Sequence, residues 1–170
     1  ERTIAVLADR FGFADARRVV VQGGSAGGLS TYLHVDGIAD RLRDLNPDPS
    51  TATLKVVGRP VAGFFIDPTP FAPPPEGNFS TQIRYGMNMF NGTDALSPAC
   101  RAAQAPGEEW RCWMAATAFP FVKSPIFAVQ SRFDEFQLQS FVHLPCILAE
   151  PFAPPYVRPS TCTGAEVNAI

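Results

Sequence analysis

A single serine stands among four glycines at residues 22–28, which read QGGSAGG. The valine-rich run RVVV at residues 18–21 precedes this segment, and apolar residues at helical spacing follow it. The pattern Gly23-x-Ser25-x-Gly27 is typical of a strained turn from a β-strand into an α-helix, where small neighbours let the two elements approach closely. The sequence therefore predicts an α/β fold in which the Ser25 hydroxyl lies at the carboxyl end of a strand.

The rest of the chain supports an alternation of strands and helices. Amphipathic spacing predicts helices at residues 3–12, 26–45 and 135–144. Apolar and β-branched runs predict buried strands at 17–22 and 125–130, and because Pro60 splits a third run, we expect the core strand there to be 61–66. We predict one domain over residues 1–170, a parallel sheet with helices on its faces, and an insertion of short helices and loops at about 68–124.

Composition excludes several classes of protein. The 170 residues are 46% hydrophobic, enough for one domain with a real core. The net charge is −2 and no long basic run occurs, which argues against nucleic acid or an anionic membrane as the main partner. No apolar stretch approaches the roughly 20 residues that span a bilayer. A neutral or sugar-like substrate fits better, and we expect a monomer.

Cysteines and glycosylation patterns favour an oxidising compartment. The order of the four cysteines suggests two local pairs, Cys100 with Cys112 and Cys146 with Cys162, although four cysteines allow three connectivities. Asn78 and Asn91 each begin an N-x-S/T acceptor pattern for glycosylation. The alternative is a set of reduced thiols in a cytosolic core with chance acceptor patterns. The combination favours a secreted or cell-wall glycoprotein.

Ser25 has the placement of an activated nucleophile. At such a turn the following helix directs backbone N–H groups and its positive dipole end towards a developing oxyanion, and Ala26 N–H is the expected donor. The strand-to-helix turn, called the nucleophile elbow, would be formed by the small residues Gly23, Gly24, Gly27 and Gly28. The alternatives are a glycine-rich turn with an incidental serine and a phosphate-binding loop. Neither phosphate pattern is complete, because Ser25 interrupts G-x-G-x-x-G and no P-loop lysine follows.

A serine nucleophile needs an imidazole that a carboxylate orients. In this kind of fold the chain order is serine, acid, histidine, and Asp134 follows the predicted strand 125–130. Glu135 is the rival acid, and Asp67, at another strand end, is a weaker one. The sequence therefore predicts Asp134 as the acid of a catalytic triad.

Neither histidine of the chain suits the role of base. His34 lies nine residues beyond Ser25 on the predicted helix, about 13 Å along its axis. His143 lies nine residues beyond Asp134 on another predicted helix, so that the same spacing separates these two side chains unless that helix ends early. We interpret both as hydrogen-bonded structural histidines. The base is expected beyond Ile170, in a longer protein whose earlier strands supply the second oxyanion donor.

Four blocks of the chain resemble the pectin acetylesterase family, which includes the Notum carboxylesterases. These are GGSAGGLS with LHVD at residues 23–30 and 33–36, GFFID at 63–67, EWRCW at 109–113 and FAVQSRFDEFQL at 127–138. The resemblance implies a secreted serine esterase of α/β-hydrolase fold, with Ser25 as nucleophile and Asp134 as triad acid. It also implies a histidine several tens of residues after the acid, in a Cys-and-His segment that has no counterpart here. Many members have cysteine where this chain has Gly24, and residues from 145 onward align with nothing.

These inferences together predict a serine carboxylesterase that removes O-acetyl groups from a pectin-like polysaccharide through an acyl-enzyme, without a metal or organic cofactor. The α/β-hydrolase fold would be incomplete, lacking its first strands and the C-terminal strand with the histidine loop, and the 170 residues alone would be inactive or nearly so. One alternative is a Notum-like carboxylesterase that removes a longer acyl group from a protein or glycolipid. Its acyl pocket could involve Phe79, Met87, Met89, Phe90 and Trp113. Another alternative is a non-catalytic binding homologue.

Overall fold

A small parallel sheet and the helices that follow its strands position the Ser25 turn. The computed structural model describes residues 2–45, 54–71, 77–147 and 162–165. In chain order the helices and strands are α1 (Arg2–Phe11), β1 (Arg18–Gly24), α2 (Ala26–Leu45), β2 (Lys55–Val61), α3 (Phe79–Met89), α4 (Pro98–Ala102), α5 (Ala115–Ala118) and α6 (Glu135–Ser140). Short 3-10 turns lie at Phe13–Asp15, Gly92–Ala95, Glu109–Trp113, Phe119–Phe121 and Pro145–Ile147.

The sheet is parallel, with β2 at its centre. β1 pairs with β2 in the register that places Arg18 opposite Lys55 and Gly24 opposite Val61. On the other side of β2, residues 125–130 run parallel to it through bridges at Gly58–Ile126 and Val61–Val129. The order β1, β2, 125–130 brings the carboxyl ends of all three segments to one edge of the sheet.

The prediction that the core strand is 61–66 was wrong, because Pro60 lies within β2 and does not end it. Its carbonyl accepts a hydrogen bond of 2.9 Å from Val129 N–H, so that proline costs the sheet only a donor. In a regular parallel ladder the N–H of residue 60 would bond to the carbonyl of Phe127. Proline cannot make that bond, which explains why residues 125–130 pair through separate bridges and form no continuous strand.

The strands are also less buried than predicted. α1 and α2 cover one face of the sheet, around a core of Val19, Val35, Ala39, Leu42 and Val56. On the opposite face Val20 is 62% exposed and Phe127 is 65% exposed. The apolar runs therefore mark strands buried on one face among the described residues, whereas the valine-rich composition had predicted burial on both faces.

The helix predictions differ in accuracy. The predicted helix 26–45 is confirmed as α2, and the predicted helix 3–12 is confirmed as α1, followed by Gly12 at a φ of 64°. The helix predicted at 135–144 is wrong in its end, since α6 stops at Ser140 and Phe141 follows as its C-cap. None of the described helices is long and apolar enough to cross a membrane.

The short helices after β2 pack through two clusters. One is aromatic and joins α2 to the region after β2, with Leu29, Tyr32, Phe65, Ala115 and Phe141 at its centre. The other surrounds a disulfide between Cys100 and Cys112, which lie buried beside Leu96. A second disulfide joins Cys146 to Cys162. Both pairs are the local ones that the cysteine order suggests.

Candidate active site

Ser25 is the single residue between β1 and α2. Its φ is 54°, in the left-handed region that residues with a side chain rarely adopt. Its N–H donates to Val61 O at 2.9 Å, and its carbonyl accepts from Leu29 N–H at 3.0 Å. The residue is exposed. The backbone of Ser25 is therefore held by the neighbouring strand and the following helix while the serine stays accessible at the edge of the sheet.

The four glycines around Ser25 differ in whether their surroundings leave space for a side chain. A Cβ on Gly23 would lie 2.2 Å from Gly27 O, and one on Gly28 would lie 2.6 Å from Val61 O. A Cβ on Gly24 or Gly27 would meet nothing within 4 Å. Close backbone contact thus requires glycine at two of the four positions. The absence of a neighbour at Gly24 means that a Cβ there would not clash.

Gly63 is a site residue that the sequence reasoning missed. A Cβ on Gly63 would lie 2.3 Å from the carbonyl carbon of Gly28, so the chain leaving β2 passes directly against the first turn of α2. Ala62, just before it, has a φ of 49°. A glycine directly after an apolar run was the available signal, but the misplaced strand 61–66 put Gly63 inside a strand.

Ala26 is the first residue of α2. The first four N–H groups of an α-helix have no acceptor within the helix, and they carry its positive dipole end. Ala26 follows Ser25 directly, so its N–H lies beside the serine. This arrangement is chemically suited to binding an oxyanion.

Asp134 lies at the same edge of the sheet as Ser25, because each follows the carboxyl end of a parallel segment and β2 runs between those segments. Asp134 is the N-cap of α6, and its Oδ1 accepts from Gln137 N–H at 3.1 Å. Its Oδ2 accepts from Gln130 Nε2 at 2.6 Å. The carboxylate is partly buried and fixed through both oxygens.

The two rival acids are placed differently. Asp67 binds Arg111 through Oδ2 at 3.1 Å and accepts from Ser80 Oγ through Oδ1. Arg111 also pairs with Glu108 at 2.7 Å, so Asp67 belongs to a local ionic network. Glu135 is exposed on α6 and accepts from Gln139 Nε2 at 3.2 Å. These contacts favour Asp134 over both rivals.

Neither histidine shares a described hydrogen bond with Ser25 or Asp134. His34 is exposed on the unbroken helix α2, so nine residues of helix still separate it from Ser25 by about 13 Å. His143 is partly buried with a φ of 53° and lies three residues past the end of α6. The early end of α6 removes the helical-spacing argument for His143. None of the described hydrogen bonds of Ser25 or Asp134 involves either histidine. The interpretation of both histidines as hydrogen-bonded residues finds no support among the described hydrogen bonds.

Asp36 fixes the start of the third sheet segment to α2. Its carboxylate accepts from Lys123 N–H and Ser124 N–H, each at 2.8 Å. Burial opposes its ionisation, but these hydrogen bonds and the charge of Lys123 outweigh burial and lower the pKa of Asp36 below its usual value. Burial in the aromatic cluster raises the pKa of Tyr32. Across the described residues, no group of His, Cys, Asp and Glu has the arrangement of a metal site.

The proposed lining of an acyl pocket is dispersed. Phe79 stacks on Phe141 with ring centroids 3.8 Å apart, and Trp113 packs beside it in the aromatic cluster. Met87 packs against the buried Cys100–Cys112 cluster, whereas Met89 and Phe90 are exposed. The five residues predicted to line an acyl pocket therefore occupy three different environments.

The two glycosylation acceptor patterns also differ in structure. Asn78 is the N-cap of α3, and its Oδ1 accepts from Thr81 N–H at 3.0 Å and from Thr81 Oγ1 at 2.6 Å. Asn91 is exposed, with a φ of 48°, before the turn Gly92–Ala95. Asn91 therefore presents the more accessible acceptor.

Comparison with known proteins decides the family. The family model for pectinacetylesterase matches residues 2–169. The chain belongs to the pectinacetylesterase family. The resemblance predicted from the four sequence blocks is thereby confirmed, whereas the expectation that residues from 145 onward align with nothing was wrong, because the match extends to residue 169.

This pectinacetylesterase-family chain is also similar to characterised relatives. It is 31% identical over 137 residues to the palmitoleoyl-protein carboxylesterase NOTUM of Homo sapiens, a match that covers 75% of the chain and 25% of the relative. It is 30% identical over 121 residues to the protein of the same name from Drosophila melanogaster, covering 71% of the chain and 17% of the relative. The chain thus spans a quarter or less of the length of these two relatives.

Proposed function

We propose that the protein is a serine carboxylesterase that removes O-acetyl groups from a secreted or cell-wall polysaccharide of pectin type. The observation that carries this proposal is Ser25 itself, held at a φ of 54° between β1 and α2 in a member of the pectinacetylesterase family. Such a strained junction is the place where α/β-hydrolases carry their nucleophile. The family name supports acetyl ester hydrolysis as the reaction.

The proposed reaction proceeds through an acyl-enzyme. Ser25 Oγ attacks the ester carbonyl carbon as its proton passes to an imidazole, and Ala26 N–H donates to the oxyanion that forms. The bond from the carbonyl carbon to the sugar oxygen then breaks, and the imidazolium returns the proton to that oxygen. Water repeats the sequence on the acyl-enzyme and releases acetate. Asp134 orients the imidazole and stabilises its charged form.

The imidazole in this proposal comes from polypeptide outside residues 1–170. Support comes from the exposure of His34 on α2 and from the absence of either histidine in the described hydrogen bonds of Ser25 and Asp134. A complete α/β-hydrolase fold also has helices on both faces of its sheet. The exposed face that carries Val20 and Phe127 is where the proposal places the further helices.

Secretion and N-glycosylation belong to the same proposal. Two disulfides, Cys100–Cys112 and Cys146–Cys162, are typical of proteins from oxidising compartments. Exposed Asn91 is the accessible acceptor for a glycan. A monomer without a cofactor is sufficient for this chemistry.

A second candidate function is hydrolysis of a longer acyl ester, since the named activity of the NOTUM relatives is palmitoleoyl-protein carboxylesterase. The dispersal of Phe79, Met87, Met89, Phe90 and Trp113 weakens the support for a long acyl pocket. We therefore place acetyl ester hydrolysis first.

Hydrolysis of nitrophenyl acetate and nitrophenyl palmitate by the full-length protein and its Ser25→Ala variant tests the proposal. We expect a higher kcat/KM for the acetate, and a loss of at least about a thousandfold in kcat for Ser25→Ala. A preference for the palmitate would favour the second function. Activity towards neither ester, with acetylated pectin also unchanged, would indicate a non-catalytic binding homologue.

A further inference from the structure

The side chain of Gln130 connects Asp134 to the backbone that follows β2. Its Nε2 donates to Asp134 Oδ2 at 2.6 Å, and its Oε1 accepts from Phe64 N–H at 3.0 Å. Gln130 is partly buried and directly follows Val129, which bridges to β2. The amide of Gln130 thus contacts both the Asp134 carboxylate and the backbone of Phe64, which follows β2.

The orientation of this amide is determined by its partners. A backbone N–H is only a donor, so the group that faces Phe64 must be the amide oxygen. The NH2 group then faces Asp134, which accepts when ionised. Exchanging the two ends would place donor against donor at Phe64 and acceptor against acceptor at Asp134. Gln130 therefore donates to Asp134 in the only arrangement that satisfies both contacts.

The Asp134 carboxylate can accept further hydrogen bonds in addition to these two. An ionised carboxylate offers about four lone-pair sites, and Gln130 Nε2 and Gln137 N–H occupy one on each oxygen. A third donor, such as an imidazole N–H, can still bind. The two existing donors restrict rotation of the carboxylate without blocking it.

The same amide ties Asp134 to the turn of the nucleophile. Phe64 follows Gly63, whose backbone lies against Gly28 in the first turn of α2. Val61, just upstream, accepts the hydrogen bond of Ser25 N–H at 2.9 Å. A continuous path of backbone contacts and one side chain therefore runs from Ser25 to Asp134.

We propose that Gln130 is a positioning residue that sets the direction of the Asp134 carboxylate relative to Ser25, and so the direction from which the imidazole binds. This inference rests on the proposed function, in which Asp134 is the triad acid. Gln130 touches no reacting atom in this role. Its contribution appears in kcat and leaves ground-state binding of the ester largely unchanged.

The test compares Gln130→Glu, Gln130→Met and Gln104→Glu in the full-length protein, with acetyl ester as substrate. Gln130→Glu keeps an acceptor for Phe64 N–H and replaces the donor with a carboxylate oxygen that repels Asp134. Gln130→Met adds no charge and removes both the donor to Asp134 and the acceptor for Phe64 N–H. Gln104→Glu is the matched control, since Gln104 Nε2 donates to Cys100 O at 3.2 Å, within the disulfide cluster.

We expect kcat to fall roughly 10- to 100-fold in both Gln130 variants, with KM within about threefold of the wild type, because a misdirected triad slows chemistry more than binding. Gln104→Glu should keep wild-type kcat. Unfolding midpoints measured in parallel separate a structural role from a positioning role. A lowered midpoint with unchanged kcat per folded molecule would overturn the inference.

The outcomes also distinguish this inference from the proposed function. If Ser25→Ala abolishes hydrolysis while both folded Gln130 variants keep kcat within twofold of the wild type, the positioning role fails and the esterase stands. If hydrolysis by the wild type does not depend on Ser25, the proposed function fails, and the inference about Gln130 fails because it rests on that function.

Discussion

Backbone proximity decides which single residues of the Ser25 turn are irreplaceable. Gly28 and Gly63 touch through their main chains, and a Cβ on either would lie within 2.6 Å of backbone atoms. Gly27 faces open space, although it belongs to the same glycine-rich segment. The sequence pattern alone does not distinguish these positions.

Replacement of Gly28 by alanine should lower the free energy of unfolding by about 3 kcal/mol, since the new methyl group would overlap a strand carbonyl that cannot move away cheaply. Gly27→Ala is the matched control. It should leave stability unchanged or raise it by up to about 1 kcal/mol, because alanine is the better helix former. Urea unfolding measures both, and equal effects of the two substitutions would contradict the packing described for this turn.

The placement of Ser25 and Asp134 after the carboxyl ends of strand segments was predictable from the sequence, whereas the contacts around them were not. A short motif specifies a strand-to-helix turn, and an acid after a later strand follows from chain order. Gln130 and Gln137 lie within four residues of Asp134 in the chain, but their side-chain hydrogen bonds to the distant backbone of Phe64 arise only in the folded chain. Gly63 was missed because its requirement for glycine arises from a helix 35 positions earlier in the chain.

At the scale of elements, local patterns predicted α2 well and β2 poorly. The start of α2 after the Ser25 turn and its apolar spacing both lie within one continuous stretch of sequence, so local patterns are sufficient to predict this helix. The placement of β2 depends on its neighbours, since Pro60 is compatible with a central strand only where its missing donor faces the segment 125–130. Residue propensities take account of the proline itself but contain no information about which strands pair with β2.

Asp36 links α2 to the segment that leads into the third strand position, and its contribution should depend on pH. A carboxyl group whose pKa is lowered by folding stabilises the fold above its unfolded pKa of about 3.9 and loses that effect as the pH falls through the folded value. We expect Asp36→Asn to lose about 1 kcal/mol at pH 7, a modest value because the group is partly exposed.

The difference between wild type and Asp36→Asn should shrink as the pH is lowered below about 4. Urea unfolding at pH 7 and pH 3 measures it, with Asp44→Asn, an exposed position on the same helix, as control. A difference that is constant with pH would refute the assigned role of the carboxylate.

The two disulfides should differ in their effect on stability. Loop-closure entropy predicts about 3 kcal/mol for each, because they close loops of similar length, 12 and 16 residues. Cys100 and Cys112 are also fully buried, whereas Cys146 and Cys162 are only partly buried. Alanine at both Cys100 and Cys112 should therefore cost more than alanine at both Cys146 and Cys162, as measured by thermal unfolding of the two double variants. An equal or reversed order would show that packing around the buried pair contributes little.

At the scale of the whole molecule, the described segments form a parallel sheet with Ser25 and Asp134 after the carboxyl ends of its segments, at one edge. Fold class and family were predictable, because the order of elements and four separate blocks agree with each other. The exposed sheet face was not predictable, since apolar strands read the same whether one face or both are covered.

Expression through a eukaryotic secretory pathway should place a glycan on Asn91. Asn91 is exposed at a turn, whereas the side chain of Asn78 caps α3. Mass spectrometry after enzymatic deglycosylation in heavy-oxygen water identifies the modified asparagine, and Asn91→Gln should remove its glycan without changing the unfolding midpoint. An unmodified Asn91 in secreted protein would contradict the proposed accessibility.

The most direct test of the central claim is covalent labelling of the full-length protein with a fluorophosphonate, followed by peptide mass spectrometry. We expect a single phosphonylated residue, Ser25, and labelling at least about a hundredfold slower in the Asp134→Asn variant. Ser25→Ala should abolish the label. Labelling at another residue, or a folded wild-type protein that does not react at Ser25, would contradict the claim that this turn carries an activated nucleophile.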